Sequence, residues 1–202
     1  MADLRILPDD ISTDIFVGNA LAAFARALSD KIDVAWTEAT GRTNAACYAI
    51  NQIGCEPGSS IKTLSGMLDI EHSSLVRLLD HLERDGLIER VNDPVDKRGK
   101  RIFLSPKGED MLTGMINARR RVIEPMTGLL EDDELNVLHR LIEKLIPAVV
   151  VGGDDQHYVC RICELEICPQ EMCPVNLCYE EWKEFPETPF RRHVDSKRKT
   201  RS

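Results

Sequence analysis

The chain has 202 residues, 43% hydrophobic and 30% charged, with a formal net charge of −8. That length suits one globular domain plus an appendage; no run approaches the roughly 20 apolar residues of a membrane span and no charged-then-apolar leader begins it, so a cytoplasmic protein with no membrane partner is expected. The acidic balance argues weakly against a nucleic-acid binder, although a local basic footprint is enough for that role, and seven cysteines in a cytosolic chain favour metal or redox chemistry over structural disulfides.

Residues 1–12, with Pro8 and three aspartates, read as an N-terminal arm. Thr13 or Asp14 can cap a long helix reaching about Glu38, with Ile15, Phe16, Phe24, Leu28, Ile32 and Trp36 among its apolar positions. Its length and alanine-rich faces suit packing against a second chain. Thr43 and Asn44 are cap candidates for a helix over Ala45–Ile53. Cys47 reads there as a small buried apolar residue. Cys55, in the loop CEPGS, reads as an exposed thiol, with a sensor role as an alternative.

Residues 59–108 organise the rest. A helix over Ile61–Leu68 puts Ile61, Leu64 and Leu68 on one face, and Asp69–His72 make a turn. The next helix starts near Ser73 and runs to about Arg84. Its Leu75, Leu78, Leu79 and Leu82 recur at i, i+3, i+4, i+7, a single apolar stripe. Gly86 ends it, as a residue able to turn left-handed after a helix. Leu87–Val91 and Arg101–Leu104 read as two strands around a turn carrying Pro94, Asp96 and Gly99. Helix, turn, helix, hairpin is a winged helix-turn-helix. Such a helix fits the major groove of double-stranded DNA. His72, Ser73, Ser74 and Arg77, with Val76 and His81, face outward from it. The hairpin tip offers Lys97, Arg98, Lys100 and Arg101, cations that a narrow, electronegative minor groove attracts.

Pro106 opens a helix that runs from Lys107 to about Leu130, which Pro125 kinks or breaks. Arg119, Arg120 and Arg121 read as a solvated face. A last helix, Glu131–Val151, has Leu135, Leu138, Leu141, Ile142, Leu145 and Ile146 as its apolar stripe and Pro147 as its weak point. Gly152–Asp155 is a linker into a Cys-rich extension over 152–190, and 191–202 form a basic, disordered tail. Cys160, Cys163, Cys168, Cys173 and Cys178 crowd a stretch with too little apolar sequence for a core, where a bound metal centre supplies folding free energy instead. Cys160, Cys163, Cys168 and Cys173 are the expected ligands and Cys178 the spare. Cys followed by Pro at Cys168 and Cys173 favours an iron–sulfur cluster, with zinc the alternative.

The stretch SSLVRLLDHLERDGLIERVNDPVDKRGKRIFLSPKG resembles the core signature of the MarR family of bacterial transcriptional regulators. The shared pieces are the helix SxLVRLLDxLExxGLIxR and the wing DPxDKRxKRIxLSPKG with a helix following at once. The resemblance covers roughly residues 14–148, and some members carry a similar C-terminal CRxC extension. Glu71 departs from it, standing where many members have a capping serine. The resemblance implies a mainly α fold with a small β-hairpin wing: a winged helix-turn-helix (43–108) inside a 13–151 domain. The helices 13–38 and 107–151 are then the interface of a homodimer on a pseudo-palindromic operator. It also implies small phenolic or aromatic effectors between the DNA-binding lobe and the dimer helices. The expected function is a dimeric, sequence-specific regulator, with repression the expected direction, modulated by a small ligand or by the cysteine centre. The alternative is a protein-interaction winged helix with a structural zinc site. No nucleophile-plus-base set, phosphate loop or HExxH pattern points to an enzyme.

Overall fold

The structure, a computed structural model, describes residues 12–94, 99–150, 159–164, 173 and 175. The elements run α1 (Thr13–Thr40), α2 (Asn44–Cys55), β1 (Ser59–Ser60), α3 (Ile61–Leu68), α4 (His72–Arg84), β2 (Ile88–Asn92), β3 (Lys100–Leu104), α5 (Pro106–Thr127) and α6 (Asp132–Leu145), closed by a 3₁₀ turn at Ile146–Ala148. The fold is mainly helical around a small antiparallel sheet of order β1-β3-β2.

The core sits under α4 and continues to α1 and α5. Leu64, Leu75, Leu79, Leu82, Leu87 and Ile102 are fully buried, together with Ile50 and Ile53 of α2. The leucine spacing thus does what it predicts, although Leu78 only borders this cluster. Trp36 joins α1 to α5, its buried Nε1–H donating to the carbonyl of Met115 at 2.9 Å, and its ring meets Tyr48 edge-on with centroids 6.0 Å apart.

Two glycines answer to backbone needs. Gly86 takes φ +71° directly after α4, a conformation side chains resist. At Gly108 a Cβ would lie 2.1 Å from the carbonyl oxygen of Leu87, so only glycine lets α5 begin against the root of the wing. Ser105 completes that joint: its hydroxyl caps α5 through Gly108 N–H and donates to Gly86 O at 2.6 Å.

Four expectations change. β1 adds a third strand, pairing Ser59 with Ile102 and Ser60 with Arg101. The helix after the wing is not broken at Pro125, which falls in its last turn. The last helix ends at Leu145 rather than near Val151, with Pro147 inside the 3₁₀ turn that follows. Arg119 and Arg120 are half-buried, not a solvated face, because both turn to the carboxylate of Glu164. Among the described residues, no helix is long and apolar enough to cross a membrane.

Candidate nucleic-acid interface

α4 is one helix with two faces. Leu75, Leu79 and Leu82 are at most 1% exposed, while His72, Ser73, Ser74, Arg77 and His81 are all exposed. Glu71 is its N-cap. Its carboxylate accepts from Ser74 N–H at 3.1 Å and from the Ser73 hydroxyl. Those bonds hold the Glu71 carboxyl below its usual range, the Ser73 hydroxyl first among them. The Ser73 hydroxyl is therefore engaged within the helix start, whereas His72 and Arg77 have their side chains on the open face.

The wing is tied to this helix by charge. Arg90 of β2 contacts Asp80 at 2.7 Å and Glu83 at 3.3 Å, both on α4. At the far end Arg42 pairs with Asp85, and this guanidinium holds the Asp85 carboxyl low. The orientation of α4 relative to the wing and to the α1–α2 corner is thus set by side chains outside the reading face. Of the four wing cations, Lys100 donates to Asn92 Oδ1 at 2.6 Å and Arg101 to Asp93 Oδ2 at 2.9 Å, bonds that close the hairpin at its loop end. Lys97 and Arg98 lie outside the described residues.

The cysteine segment meets the body of the domain. Cys160 and Cys163 are half-buried, close a tight turn through Cys163 N–H to Cys160 O at 2.8 Å, and touch through their thiols. The Cys160 thiol, and the Arg119 charge behind it, bring Cys163 down to about 7 against burial. Cys55 is not the exposed loop thiol expected. It ends α2, is half-buried, and burial with Cys163 nearby pushes its thiol up to about 12. Cys47 is fully buried as expected. Among the described residues, no three His, Cys, Asp or Glu side chains stand close enough to hold a metal ion. Cys173 is half-buried and Cys168 lies outside the described residues.

Reasoning from sequence missed the residues that receive this segment. Asn51 is 2% exposed, beside the equally buried Gln52 in α2, and its amide donates to Arg161 O at 2.9 Å and Cys163 O at 3.2 Å. Glu164 is 4% exposed and is held by Arg120 through two nitrogens, with Arg119 at 3.9 Å. The two amides inside the run AINQI were the available signal, since a buried polar group needs a partner. A cavity of about 480 Å³ opens between the wing and α5, with Ile53, Leu104, Leu112 and Ile116 as apolar wall and Arg120 and Glu164 at its polar edge.

Residues 40–99 match the model of the MarR family. The HTH-type transcriptional regulator YsmB of Bacillus subtilis (strain 168) is 33% identical over 86 residues, which span 43% of this chain and 59% of that relative's length. Among solved structures, wild-type MarR from E. coli in its apo form is 25% identical with a TM-score of 0.52, over 62% of this chain and 96% of that one. A point mutant of S. aureus MepR shares the fold at 19% identity and a TM-score of 0.58, over 65% of this chain and 96% of that one.

Proposed function

We propose that this chain, which matches the MarR family over residues 40–99, is a homodimeric, sequence-specific DNA-binding regulator whose exposed α4 face reads an operator. The observation that carries this reading is the division of α4: leucines at most 1% exposed behind, and His72, Ser74 and Arg77 exposed in front. A helix so backed is rigid enough to place side chains on base edges, and two of them related by symmetry suit half-sites about one helical turn apart. A structure of a second S. aureus MepR mutant holds an oligodeoxyribonucleotide, which supports DNA as the partner here. Arg77 is assigned to base or groove contact, with His72 and Ser74 beside it. Lys97 and Arg98 are assigned to the flanking groove, and Lys100 and Arg101, beside them at the loop end of the wing, to the backbone.

The homodimer is supported by what one protomer leaves uncovered. Phe16, Leu21 and Phe24 of α1 and Leu138, Leu141, Ile142 and Leu145 of α6 are 40–55% exposed, more apolar surface than a lone chain keeps without use. Two signals are proposed. A small aromatic or phenolic effector suits the cavity between the wing and α5, whose wall of Ile53, Leu104, Leu112 and Ile116 is apolar. Cys160 and Cys163, side by side, are a sulfur donor pair suited to an iron–sulfur cluster or zinc, with Cys168 and Cys173 as the remaining proposed ligands.

The test is a gel shift with a duplex from the chain's own upstream region. Retardation that resists excess unrelated duplex is expected, and no retardation at low salt overturns the reading in favour of a protein-interaction module. Anaerobic purification with metal analysis decides the cysteine centre: iron with visible absorbance is expected, and stoichiometric zinc in a colourless protein overturns the cluster assignment.

A further inference from the structure

Six residues of the extension, 159–164, are held by two different parts of the domain. Asn51 of α2 gives its amide to the carbonyls of Arg161 and Cys163, and the same nitrogen reaches Cys55 Sγ at 3.8 Å. The Arg161 guanidinium lies 4.9 Å from the centre of the Tyr48 ring, also on α2. Ile162 packs on the core. Two residues on, Glu164 turns to α5 and is taken by Arg119 and Arg120.

We propose that residues 159–164 are a strap whose docking seat is built into α2 and α5, so that the cysteine segment sets the position of the DNA-binding lobe on α5. A buried asparagine amide is costly unless its donors are met, and two of its bonds are met by the strap. A carboxylate as buried as Glu164 is tolerated only when paired, and removing one partner leaves an uncompensated charge. The strap therefore docks as a unit or not at all, which is how a local change becomes a two-state one. Cys160 and Cys163 lie within it and Cys55 borders it, so chemistry at those sulfurs acts where α2 is gripped. α2 packs on α3 and on the sheet, and so carries α4 with it. Coupling thus runs through the joint between α2 and α5 within each protomer.

This proposal rests on the reading of the chain as a DNA-binding regulator, and the experiment separates the two. Hydrogen–deuterium exchange and DNA affinity are measured on the full chain and on Glu164→Ala, Glu164→Gln, Asn51→Ala and, as control, Arg121→Ala, an exposed neighbour of the arginine pair. Exchange in 159–164 and in α2 is expected to rise about tenfold or more in Glu164→Ala and Asn51→Ala, with Glu164→Gln between them and the unchanged chain. Affinity for the upstream duplex is expected to shift about fivefold or more in the same two variants. Their double mutant is expected to add little, since either change alone frees the strap. Unaltered exchange in 159–164, or a freed strap with unaltered α2 exchange and DNA affinity, overturns the proposal. If the unchanged chain binds no duplex, the regulator reading fails, while altered or unaltered α2 exchange still decides whether the strap grips the lobe.

Discussion

At Arg77 the side chain is exposed on a helix whose opposite side is sealed. Removing it takes nothing from the core. Arg77→Ala is expected to lower operator affinity by about 1–3 kcal/mol, roughly five- to 150-fold, while the melting temperature stays put. Fluorescence anisotropy across a salt series checks it. A loss confined to the salt slope would move Arg77 from base reading to backbone contact. The thiols give a second residue-scale expectation. Cys163 titrates near 7 because the Cys160 thiol and the Arg119 charge favour its thiolate. In the metal-free chain its alkylation by iodoacetamide should climb through neutral pH and level off above about 8, since the thiolate is the nucleophile. Cys55, pushed up to about 12 by burial and by Cys163, should stay unlabelled over that whole range. Peptide mapping after a timed alkylation reads both; equal labelling of Cys55 and Cys163 at pH 7 would contradict the environments described.

Among elements, α4 is the one whose design is clearest, and Glu71 is its unusual part. A carboxylate cap complements the positive end of the helix, yet it sits beside the reading face, where a phosphate would be repelled. Because its pKa is depressed in the fold, the capping contribution is present above the ordinary carboxylate range. It is lost as pH falls through the lowered folded value. Glu71→Ser keeps a side-chain acceptor at the cap and removes the charge, so DNA binding is expected to tighten a few-fold with the helix intact, measured by anisotropy beside circular dichroism. Behind the same helix, Leu79→Ala should cost about 2–5 kcal/mol in urea unfolding, because the side chain is fully buried and its loss leaves a cavity. These features explain what could be read in advance. The α4 stripe and Gly86 are local signals, so the helix-turn-helix and wing were legible. β1 was not, because two serines gain strand geometry only by pairing with β3. The arginine run on α5 misled for the same reason: Glu164, the partner that buries it, lies 44 residues on.

For the whole molecule the decisive fact is how little one chain does with its longest apolar faces. α1 is 28 residues long and buries only Ile32 and Trp36; α6 buries none of its residues. Leu138, Leu141, Ile142 and Leu145 lie on α6 at i, i+3, i+4 and i+7 and are 40–52% exposed. Covering an apolar side chain contributes about 1.5–3 kcal/mol, so two copies of such a stripe can hold a dimer against the entropy of association. A single carboxylate in the centre of that stripe should reverse the balance, because it would be buried unpaired on both sides of the symmetry axis. Leu141→Glu is therefore expected to run as a monomer in light scattering at concentrations where the unaltered chain is a dimer. It should keep its helix content, since Leu141 lies outside the core of the protomer. Its DNA affinity should fall by about a hundredfold or more, because the second winged helix no longer binds at the effective concentration the first one confers. A Leu141→Glu chain that remains dimeric would place the interface on another face. One that becomes monomeric yet binds the operator with undiminished affinity would show that a single winged helix suffices, against the symmetric arrangement proposed.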